Sequence, residues 1–477
     1  MRNSPRAATP LYRKLAGEIE RQIGQGALRV GDKIPSVRFL RSQHKVSIST
    51  VLQAYFWLES RGQIEARARS GFYVRVPFTD LVPEPKFREK TSQPRKIGTV
   101  PLINDVLQSV ADPGMFPLGA ACPSPELFPT HKLNALLRRA INSQPFHSGR
   151  YQFSPGLESL RRQIARRSLD FGCNFSPNDI LITCGAMEGL NLALRAVLIP
   201  GDVIAIESPT YFGVLQTIEA MGMRAVEIPT HPQTGMDLDA LEHAIRKHRV
   251  KACLVMTNCH NPLGYVLADE HKKALAELAA RYDLPVIEDD LYGDLAFEGR
   301  PRTVKTFDRN ESVLLCSSFS KVLAPGFRVG WIQPGRYRAA VERAKFITTI
   351  ASPSLPQIAL AQFLESGGYE RYLRRLRIIF SEQVQRVSHA IGKYFPEGTR
   401  ITRPKGGYLL WVELPPNVNA FELYRAALKE NISILPGLVF SPTARFKNHI
   451  RISCGQLWSE QFDRALLTLA RLCALAR

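Results

Sequence analysis

The chain has 477 residues, of which 45% are hydrophobic and 22% are charged. This composition is ordinary for a globular protein and excludes wholesale disorder, and the length predicts about three folding units. Lys and Arg outnumber Asp and Glu by 63 to 43, which gives a formal net charge of +20. Such a charge favours a polyanionic partner, most often nucleic acid, or else a basic enzyme with a solvated surface.

The cysteines and the N-terminus favour a cytoplasmic protein. The eight cysteines are scattered and form no C-x-x-C pair, which argues against a zinc ribbon and against a disulfide framework. Cys253, Cys259 and His260 fit no standard zinc spacing, so no metal site is predicted. Met1–Pro10 lacks the apolar segment of a signal peptide, and no apolar stretch is long enough to span a membrane, so we expect no membrane partner.

The excess charge is concentrated near the N-terminus, in a segment with helical periodicity. Residues 1–79 carry 14 basic and five acidic side chains, a net charge of +9, whereas the other 398 residues together carry +11. Leu11, Leu15, Ile19 and Ile23 recur every four residues and predict a helix with one apolar face. The nucleic-acid interpretation of the charge therefore belongs to this segment.

Two more helices and a hairpin are predicted after the first helix. Ser36 and Ser47 are expected to be the N-caps of the second and third helices. The buried side of the third helix is expected to hold Val51, Leu52, Tyr55 and Leu58. Ile64–Ala66 and Phe72–Val74 predict two short strands. Three helices and a basic hairpin indicate a winged helix-turn-helix, which inserts a helix into the major groove of DNA. The alternative is a small helical domain that binds protein.

This segment resembles the GntR family of bacterial repressors. The resemblance is carried by three stretches, Gly31–Arg38, Val46–Val51 and Arg69–Val74. It implies that the residues contacting DNA, including those of the wing, are Arg38, Ser47, Ser49, Thr50, Gln53, Arg67, Arg69 and Gly71. Many members have an arginine where this chain has Ile48, so a direct guanine contact from that position is not available here.

A linker and a large α/β unit are predicted next. The segment from Phe78 to Val100 is rich in proline and charge and predicts a semi-extended linker. Beyond it, β-rich runs alternate with helical patterns. The runs are Ile180–Thr183, Val203–Ile206, Ala225–Ile228, Ala252–Thr257, Val286–Asp289, Val313–Ser317 and Val329–Ile332. This alternation predicts a mostly parallel sheet with helices on both faces, whose ligands bind at the carboxyl ends of strands.

Three features at predicted strand ends together indicate pyridoxal phosphate. Gly185–Gly189 runs from a strand into a helix, where backbone N–H groups cradle phosphates. Asp289 ends a buried strand, where a carboxylate needs a cationic partner. Lys321 ends the next strand and is followed by Arg328; such a lysine forms Schiff bases, and the arginine suits a phosphate. The Ser318-x-x-Lys321 spacing also occurs in serine acyl-enzymes, but the other motifs of that class are absent.

From about residue 112 to the C-terminus the chain resembles the fold-type-I aminotransferases. The motifs that carry this resemblance include Glu207–Tyr211, Asn261–Gly264 and Lys405–Tyr408. It implies that Lys321 is the catalytic Schiff-base lysine and that Asp289 pairs with the pyridine nitrogen. The other implied contacts are Tyr292 and Asn261 at the phenolic oxygen, Tyr211 on the ring, Ala186, Met187, Ser318 and Arg328 at the phosphate, Tyr151 at the phosphate of a partner subunit, and Arg451 at a substrate carboxylate.

The combination resembles the MocR/GabR type of GntR-family regulator. We expect an α/β protein with a winged helix-turn-helix head (residues 1–78), a linker (79–110) and an aminotransferase-like, pyridoxal-phosphate-binding body (111–477). The body should have a large, mostly parallel sheet domain and a small C-terminal domain. The expected function is a homodimeric regulator that binds double-stranded DNA and senses an amino acid, an amine or pyridoxal phosphate.

Two other functions remain open from the sequence. One is a working aminotransferase with a DNA-binding appendage, because every catalytic position that the resemblance names holds a competent residue. The other is a repressor whose body is only a dimerisation scaffold. The intact Lys321, Asp289 and Arg328 argue against the scaffold.

Overall fold

A computed structural model describes residues 10–29, 31–60, 63–67, 70–74, 82–85, 91–96, 102–143, 149–443 and 445–475. The chain forms two compact units, of which one contains Met1–Val82 and the other contains most of Pro83–Arg477. The exact limits of head, linker and body stay a prediction. Within the described ranges, no helix has the length and hydropathy needed to cross a membrane.

The head has the three helices and the hairpin that the sequence predicts. Its elements are α1 (Leu11–Gly24), α2 (Val37–His44), α3 (Ile48–Ser60), β1 (Ile64–Arg67) and β2 (Gly71–Val74). Both predicted caps are present: Ser36 Oγ accepts a hydrogen bond from Phe39 N at 3.2 Å, and Ser47 Oγ accepts one from Thr50 N at 3.1 Å. The strands pair antiparallel. The winged helix-turn-helix is therefore confirmed.

The core of the head explains why these elements pack together. The apolar face of α1 and the inner face of α3 meet in one cluster whose buried members include Leu15, Ile19, Val51, Tyr55 and Leu58. Leu52, expected on the buried side of α3, is only half-buried. The Tyr55 hydroxyl donates to the Pro35 carbonyl, which ties α3 to the turn before α2.

The body is built from a large sheet flanked by helices, followed by a smaller sheet. Its strands are β3 (Arg95–Lys96), β4 (Phe116–Pro117), β5 (Leu181–Thr183), β6 (Val203–Ser208), β7 (Arg224–His231), β8 (Gly235–Met236), β9 (Ala252–Val255), β10 (Val286–Asp289), β11 (Val313–Ser318), β12 (Gly330–Gln333), β13 (Arg400–Ile401), β14 (Leu409–Glu413), β15 (Ile432–Ser433), β16 (Leu435–Pro436) and β17 (His449–Ser453). Its helices are α4 (Leu102–Ala111), α5 (Thr130–Ser143), α6 (Glu158–Ser168), α7 (Ala186–Val197), α8 (Phe212–Ala220), α9 (Leu238–His248), α10 (Asp269–Arg281), α11 (Arg338–Thr348), α12 (Ser354–Glu365), α13 (Tyr369–Tyr394), α14 (Ala420–Lys429) and α15 (Glu460–Leu475).

The large sheet is mostly parallel, as the sequence predicts. Its strand order is β3-β7-β6-β9-β10-β11-β12-β5. Strands β7, β6, β9, β10 and β11 pair parallel with one another in that order, whereas β3 is antiparallel to β7 and β12 is antiparallel to both β11 and β5. The chain adds strands to one side of β6 and then to the other, so the topological switch point lies between β6 and β9. Ligands of open α/β sheets bind outside such a point.

Helices cover both faces of the large sheet, which explains its continuous apolar runs. One core cluster contains residues of α7 and α8, such as Leu190 and Leu215, against the strands. A second cluster contains residues of α9 and α10, such as Leu241 and Leu275. Every residue of β6 and of β10 is buried. Burial on both faces is typical of parallel strands.

The smaller sheet belongs to the C-terminal part of the body and is antiparallel. Its order is β13-β14-β17-β16. In the register of β14 and β17, Trp411 lies opposite Arg451 and Glu413 lies opposite His449. This pairing fixes the position of Arg451 on the central strand β17.

Candidate ligand-binding site

Four strands of the large sheet deliver side chains to one pocket at their carboxyl ends. Tyr211 follows β6, Asn261 follows β9, Asp289 ends β10 and Lys321 follows β11. Asp289 and Lys321 are close enough for the charge of each to influence the pKa of the other, and the charge of Asp289 also influences the pKa of Tyr211. The structure therefore brings together the residues that the sequence placed on separate strands.

Asp289 is a buried carboxylate without a salt-bridge partner in the described part of the chain. Its side chain is 2% exposed, and Oδ1 accepts a hydrogen bond of 3.2 Å from Leu291 N. Burial, reinforced by the charge of Asp290, raises the pKa of Asp289 to about 7. A cation placed against this carboxylate would stabilise its ionised form, and a protonated pyridine nitrogen is such a cation.

The two acids that flank Asp289 are satisfied within the protein. Glu288 accepts hydrogen bonds from Thr257 Oγ1 at 2.6 Å, from Val304 N at 2.8 Å and from Lys305 N at 3.1 Å. Asp290 forms a salt bridge with Arg300 and accepts a hydrogen bond from Asn258 Nδ2 at 2.9 Å. Glu288 and Asp290 thus stabilise the fold, and Asp289 is the acid of this segment that remains for the pocket.

Lys321 lies in the same pocket, and its side-chain amine has a lowered pKa. Its Nζ donates a hydrogen bond of 2.6 Å to the carbonyl of Ala121. Burial lowers the pKa of Lys321 to about 8, and the positive charges of Arg451 and Arg328 act in the same direction. About a tenth of this amine is therefore neutral, and hence nucleophilic, at pH 7, far more than for an ordinary lysine.

A cradle for an anion lies at the N-terminus of α7. Gly185, with φ +84°, precedes the helix, and Ala186 and Met187 form its first turn. Arg328 closes the other side, with Nη2 3.3 Å from the Cys184 carbonyl. A Cβ on Gly185 would lie 2.4 Å from Arg328 Nη2, so only glycine leaves the cradle open. Helix N-termini with arginine suit a phosphate dianion.

Two hydroxyls complete the cradle, and one of them was missed from the sequence. Ser318 Oγ lies 2.8 Å from Ser320 Oγ and donates to the Val329 carbonyl at 2.9 Å. Ser320 Oγ accepts a hydrogen bond of 3.2 Å from Arg328 Nη1. The Ser-x-Ser-Lys spacing that ends at Lys321 is the signal that identifies Ser320, because a turn after the strand, closed by a 3.1 Å hydrogen bond from Ser320 N to Ser318 Oγ, brings the two hydroxyls together.

Arg451 is a buried cation held by neutral oxygens. It is 2% exposed; Nη1 donates to Asn261 Oδ1 at 2.9 Å and Nη2 donates to the Gly119 carbonyl at 2.7 Å. Nε is buried without a hydrogen-bond partner among the described residues. Burial lowers the pKa of Arg451. A guanidinium in this state is suited to receive a carboxylate, and Gly119 is a contact that the sequence did not reveal.

Two tyrosines line the pocket near Lys321. Tyr292 is buried and packs edge-to-face on Tyr408, with ring centroids 5.7 Å apart. The Tyr408 hydroxyl donates a hydrogen bond of 3.1 Å to the Ala121 carbonyl, the same oxygen that accepts from Lys321. Tyr408 was recognised in the sequence only as part of a motif. The Ala121 carbonyl therefore accepts hydrogen bonds from both Lys321 and Tyr408, and so links the lysine to the small domain.

Tyr151 lies outside the pocket of its own chain. Its side chain is 73% exposed, and its ring lies 5.5 Å from that of Phe153. The predicted contact of Tyr151 with the phosphate of a partner subunit stays a prediction.

Most of the predicted DNA contacts lie on the surface of the head. Arg38, Ser47, Ser49 and Gln53 are exposed and Thr50 is half-buried at the starts of α2 and α3. Gly71 is exposed at the start of β2 with φ +107°. The side chain of Arg67 and the whole of Arg69 lie outside the described residues.

The comparisons with known proteins agree with both parts of the chain. A family model for aminotransferase class I and II matches residues 129–469, and one for bacterial regulatory proteins of the gntR family matches residues 11–74. The chain is 39% identical to the uncharacterized HTH-type transcriptional regulator YjiR of Escherichia coli, over 95% of this chain and 97% of that protein. It is 38% identical to YdcR of the same organism, over 97% and 98%.

The chain belongs to the GntR family, in its MocR/GabR type. Its body is also similar to the crystal structure of LysN, the alpha-aminoadipate aminotransferase of Thermus thermophilus, complexed with N-(5'-phosphopyridoxyl)-L-leucine. The TM-score is 0.73 at 29% identity, and the match covers 80% of this chain and 96% of that chain. The fold-type-I aminotransferase fold of this MocR/GabR-type protein is thus confirmed.

The pocket fits pyridoxal phosphate, the cofactor of this aminotransferase class. The group has a pyridine nitrogen, an aldehyde and a phosphate, and the pocket offers a feature for each. These are the buried carboxylate of Asp289, the amine of Lys321 with its lowered pKa, and the cradle between Gly185 and Arg328.

We expect Gly185→Ala to weaken the binding of pyridoxal phosphate by at least about tenfold, because the methyl group displaces the Arg328 guanidinium from the cradle. Gly201→Ala is the matched control: its φ is +93°, so it shares the backbone strain, but no atom lies within 4 Å of its new Cβ. Spectrophotometric titration of each apoprotein measures the affinity. Equal affinities in the two variants would show that Arg328 does not close the cradle.

The rate at which the apoprotein captures pyridoxal phosphate should rise with pH around a midpoint near 8, because only the neutral amine of Lys321 reacts. Stopped-flow absorbance between about pH 6 and pH 11 measures this midpoint. In Arg451→Gln the midpoint should move upward, since one of the charges that lowers the pKa of Lys321 is gone. A midpoint near 10.5, the ordinary lysine value, would contradict the buried setting of Lys321.

Proposed function

We propose that this protein is a transcriptional regulator that binds double-stranded DNA with its head and senses a carboxylate-bearing amino acid or amine with its body. The observation that carries the proposal is the presence, in one chain, of a winged helix-turn-helix and a complete pyridoxal-phosphate pocket. The curated relatives that span nearly the whole chain are named as transcriptional regulators. With this DNA-binding role we propose a cytoplasmic location for the protein.

The head supports DNA binding through its exposed polar surface. Ser47 Oγ caps α3 and lies 2.7 Å from Ser49 Oγ and 2.8 Å from Thr50 Oγ1, so three hydroxyls cluster at the start of that helix. Hydroxyls and amides at a helix N-terminus suit phosphate contacts, and Arg38 at the start of α2 adds a positive charge. Gln53, one turn further along α3, is the residue placed to reach a base edge.

The body supports ligand sensing because each charged side chain of its pocket has a distinct task. Bound pyridoxal phosphate supplies an aldehyde that reacts with amines and a ring that withdraws electrons. Asp289 would hold the proton on the ring nitrogen, and Lys321 would supply the amine that retains the group and a base that can hold a proton beside it. Arg451, oriented by Asn261, binds the carboxylate of the incoming ligand.

The remaining pocket residues set orientation and phosphate affinity. Tyr292 and Asn261 would contact the phenolic oxygen, and Tyr211 would stack on the ring. The Ala186 and Met187 amides, Ser318, Ser320 and Arg328 would hold the phosphate. When Lys321 holds the cofactor, its amine would leave the Ala121 carbonyl, which Tyr408 contacts from the small domain, so cofactor binding would change a contact of the small domain.

A homodimer is the assembly that this proposal requires. Tyr151, Phe153, Phe346 and Ile347 are exposed apolar or aromatic side chains. A backbone bridge between Phe153 and Ala351 joins the two segments that carry them. Exposed apolar patches of this kind mark interfaces, and a second copy would place its Tyr151 at this chain's cradle.

A working aminotransferase is the second candidate function, because the pocket contains every group that the chemistry needs and resembles those of aminotransferases. Steady turnover of an amino acid with a keto acid would favour it. Specific, salt-dependent binding to the DNA upstream of its own gene would favour the regulator.

We expect Arg38→Gln to lower the affinity for that DNA by about tenfold and to reduce the salt dependence of binding by about one phosphate contact. Arg195→Gln is the matched control, because it removes the same charge from an exposed position of the body. Fluorescence anisotropy at several salt concentrations measures both quantities. If the two variants bind DNA equally well, Arg38 does not contact DNA.

A further inference from the structure

A second cavity lies beside the pocket of Lys321 and Arg451 but shares none of its residues. Its volume is about 620 Å³, within the range of pockets that hold small ligands. The smaller sheet forms one wall, through Trp411 and His449, and the segments after β6 and β7 form another, through Pro209 and Pro232. Linker residue Pro85 lies at its edge.

The walls of this cavity favour a flat apolar body. The ring of Trp411 lies 5.3 Å from that of His449 and 5.7 Å from that of Phe446. Prolines, among them Pro209 and Pro232, also line the cavity. Because Trp411 is only 1% exposed, the half-buried Phe446 ring that packs on it and the prolines of the lining supply the apolar surface that an aromatic or similarly flat group can contact.

The charged residues of the lining favour an anion. The cavity is lined by Arg445 and Lys447 and by one carboxylate, that of Glu413. Whichever of these side chains pair with one another, the lining carries one positive charge more than negative charge. A ligand with a single negative charge neutralises this excess.

The cavity is physically connected to the substrate arginine. His449 and Arg451 are alternate residues of β17 and therefore lie on the same face of the strand. Phe440 contacts both sides: its ring lies 5.1 Å from that of Trp411 and 5.3 Å from the Arg451 guanidinium. A ligand in the cavity would thus touch the immediate neighbours of Arg451.

The cavity also borders the point where the linker is attached to the body. The Pro83 carbonyl accepts a hydrogen bond of 2.9 Å from Ile401 N, and the Glu84 carbonyl accepts one of 3.2 Å from Arg400 Nη1. The Glu84 carboxylate also accepts a hydrogen bond from Gln233. Pro85, the next residue, lines the cavity, so an occupant would add contacts to this attachment.

We propose that this cavity is a second ligand site, which takes a small organic monoanion with an aromatic body, and that its occupant strengthens the attachment of linker residues Pro83–Pro85. The site is independent of the cofactor and goes beyond the proposed function. Through this site the protein can respond to a ligand that has no amine and does not react with the cofactor.

The test uses the full-length protein loaded with pyridoxal phosphate. Benzoate, 2-naphthoate and indole-3-propionate are titrated by calorimetry and ligand-observed NMR, each beside its uncharged carboxamide. We expect at least one carboxylate to bind with a Kd of millimolar or below, and Lys447→Gln to weaken it by about three- to fivefold without changing its carboxamide. Lys429→Gln, an exposed lysine of α14 outside the lining, is the matched control.

Two results would overturn the proposed site. One is the failure of all three carboxylates to bind at millimolar concentration. The other is binding that is abolished by Arg451→Gln but not altered by Lys447→Gln, since the anion then occupies the substrate site. Because no DNA is involved, this outcome is distinguishable from failure of the regulator proposal.

The linker part of the proposal has its own readout. Lys86, Arg88 and Lys90 are trypsin sites immediately after Pro85. Saturating carboxylate should slow cleavage there by at least about threefold in the parent protein and less in Lys447→Gln. Unchanged cleavage with a saturated cavity would overturn the effect on the linker.

Discussion

An ionised group buried without a counter-charge is expensive, and the pocket of this protein contains two of them. Asp289 and Arg451 are each 2% exposed, and neither forms a salt bridge within the described ranges. A carboxyl pKa raised from 3.8 to about 7 corresponds to about 4 kcal/mol of destabilisation of the ionised form. Pyridoxal phosphate and a ligand carboxylate bring the missing counter-charges, so their binding removes the electrostatic cost of burying Asp289 and Arg451.

Some other buried charged side chains of the body form salt bridges within the protein. Lys345 and Glu188 form a buried pair at 3.1 Å just behind the cradle, and Asp290 is paired with Arg300. These pairs stabilise the segments on which the pocket residues stand. Glu288 and Lys272 are buried without a salt bridge as well, but Glu288 accepts three hydrogen bonds and Lys272 Nζ donates two, whereas Asp289 accepts a single hydrogen bond among the described residues. Asp289 is therefore distinguished by how little the protein itself satisfies it.

The sequence predicts well what depends on local chemistry. The caps at Ser36 and Ser47 and the apolar periodicity of α1 fix the head, and fully apolar runs fix the parallel strands of the body. Lys321 and Asp289 are predictable because ionisable residues at the ends of buried strands are rare. Other features cannot be predicted from the sequence because they depend on contacts between distant segments. They are the antiparallel direction of β12, the contacts of the Gly119 and Ala121 carbonyls, and the hydrogen-bond partners of Glu288 and Asp290.

The most direct test of this account is Asp289→Asn at pH 8, above the raised pKa, where Asp289 is ionised. The apoprotein should become more stable to denaturant, because an uncompensated buried charge is removed, while its affinity for pyridoxal phosphate should fall. The gain in stability should shrink as the pH falls below about 7, to less than half at about pH 5, and should vanish only below about pH 4, where Asp289 is protonated in the unfolded protein as well. A variant that is less stable at pH 8 and binds the cofactor with unchanged affinity would contradict the account.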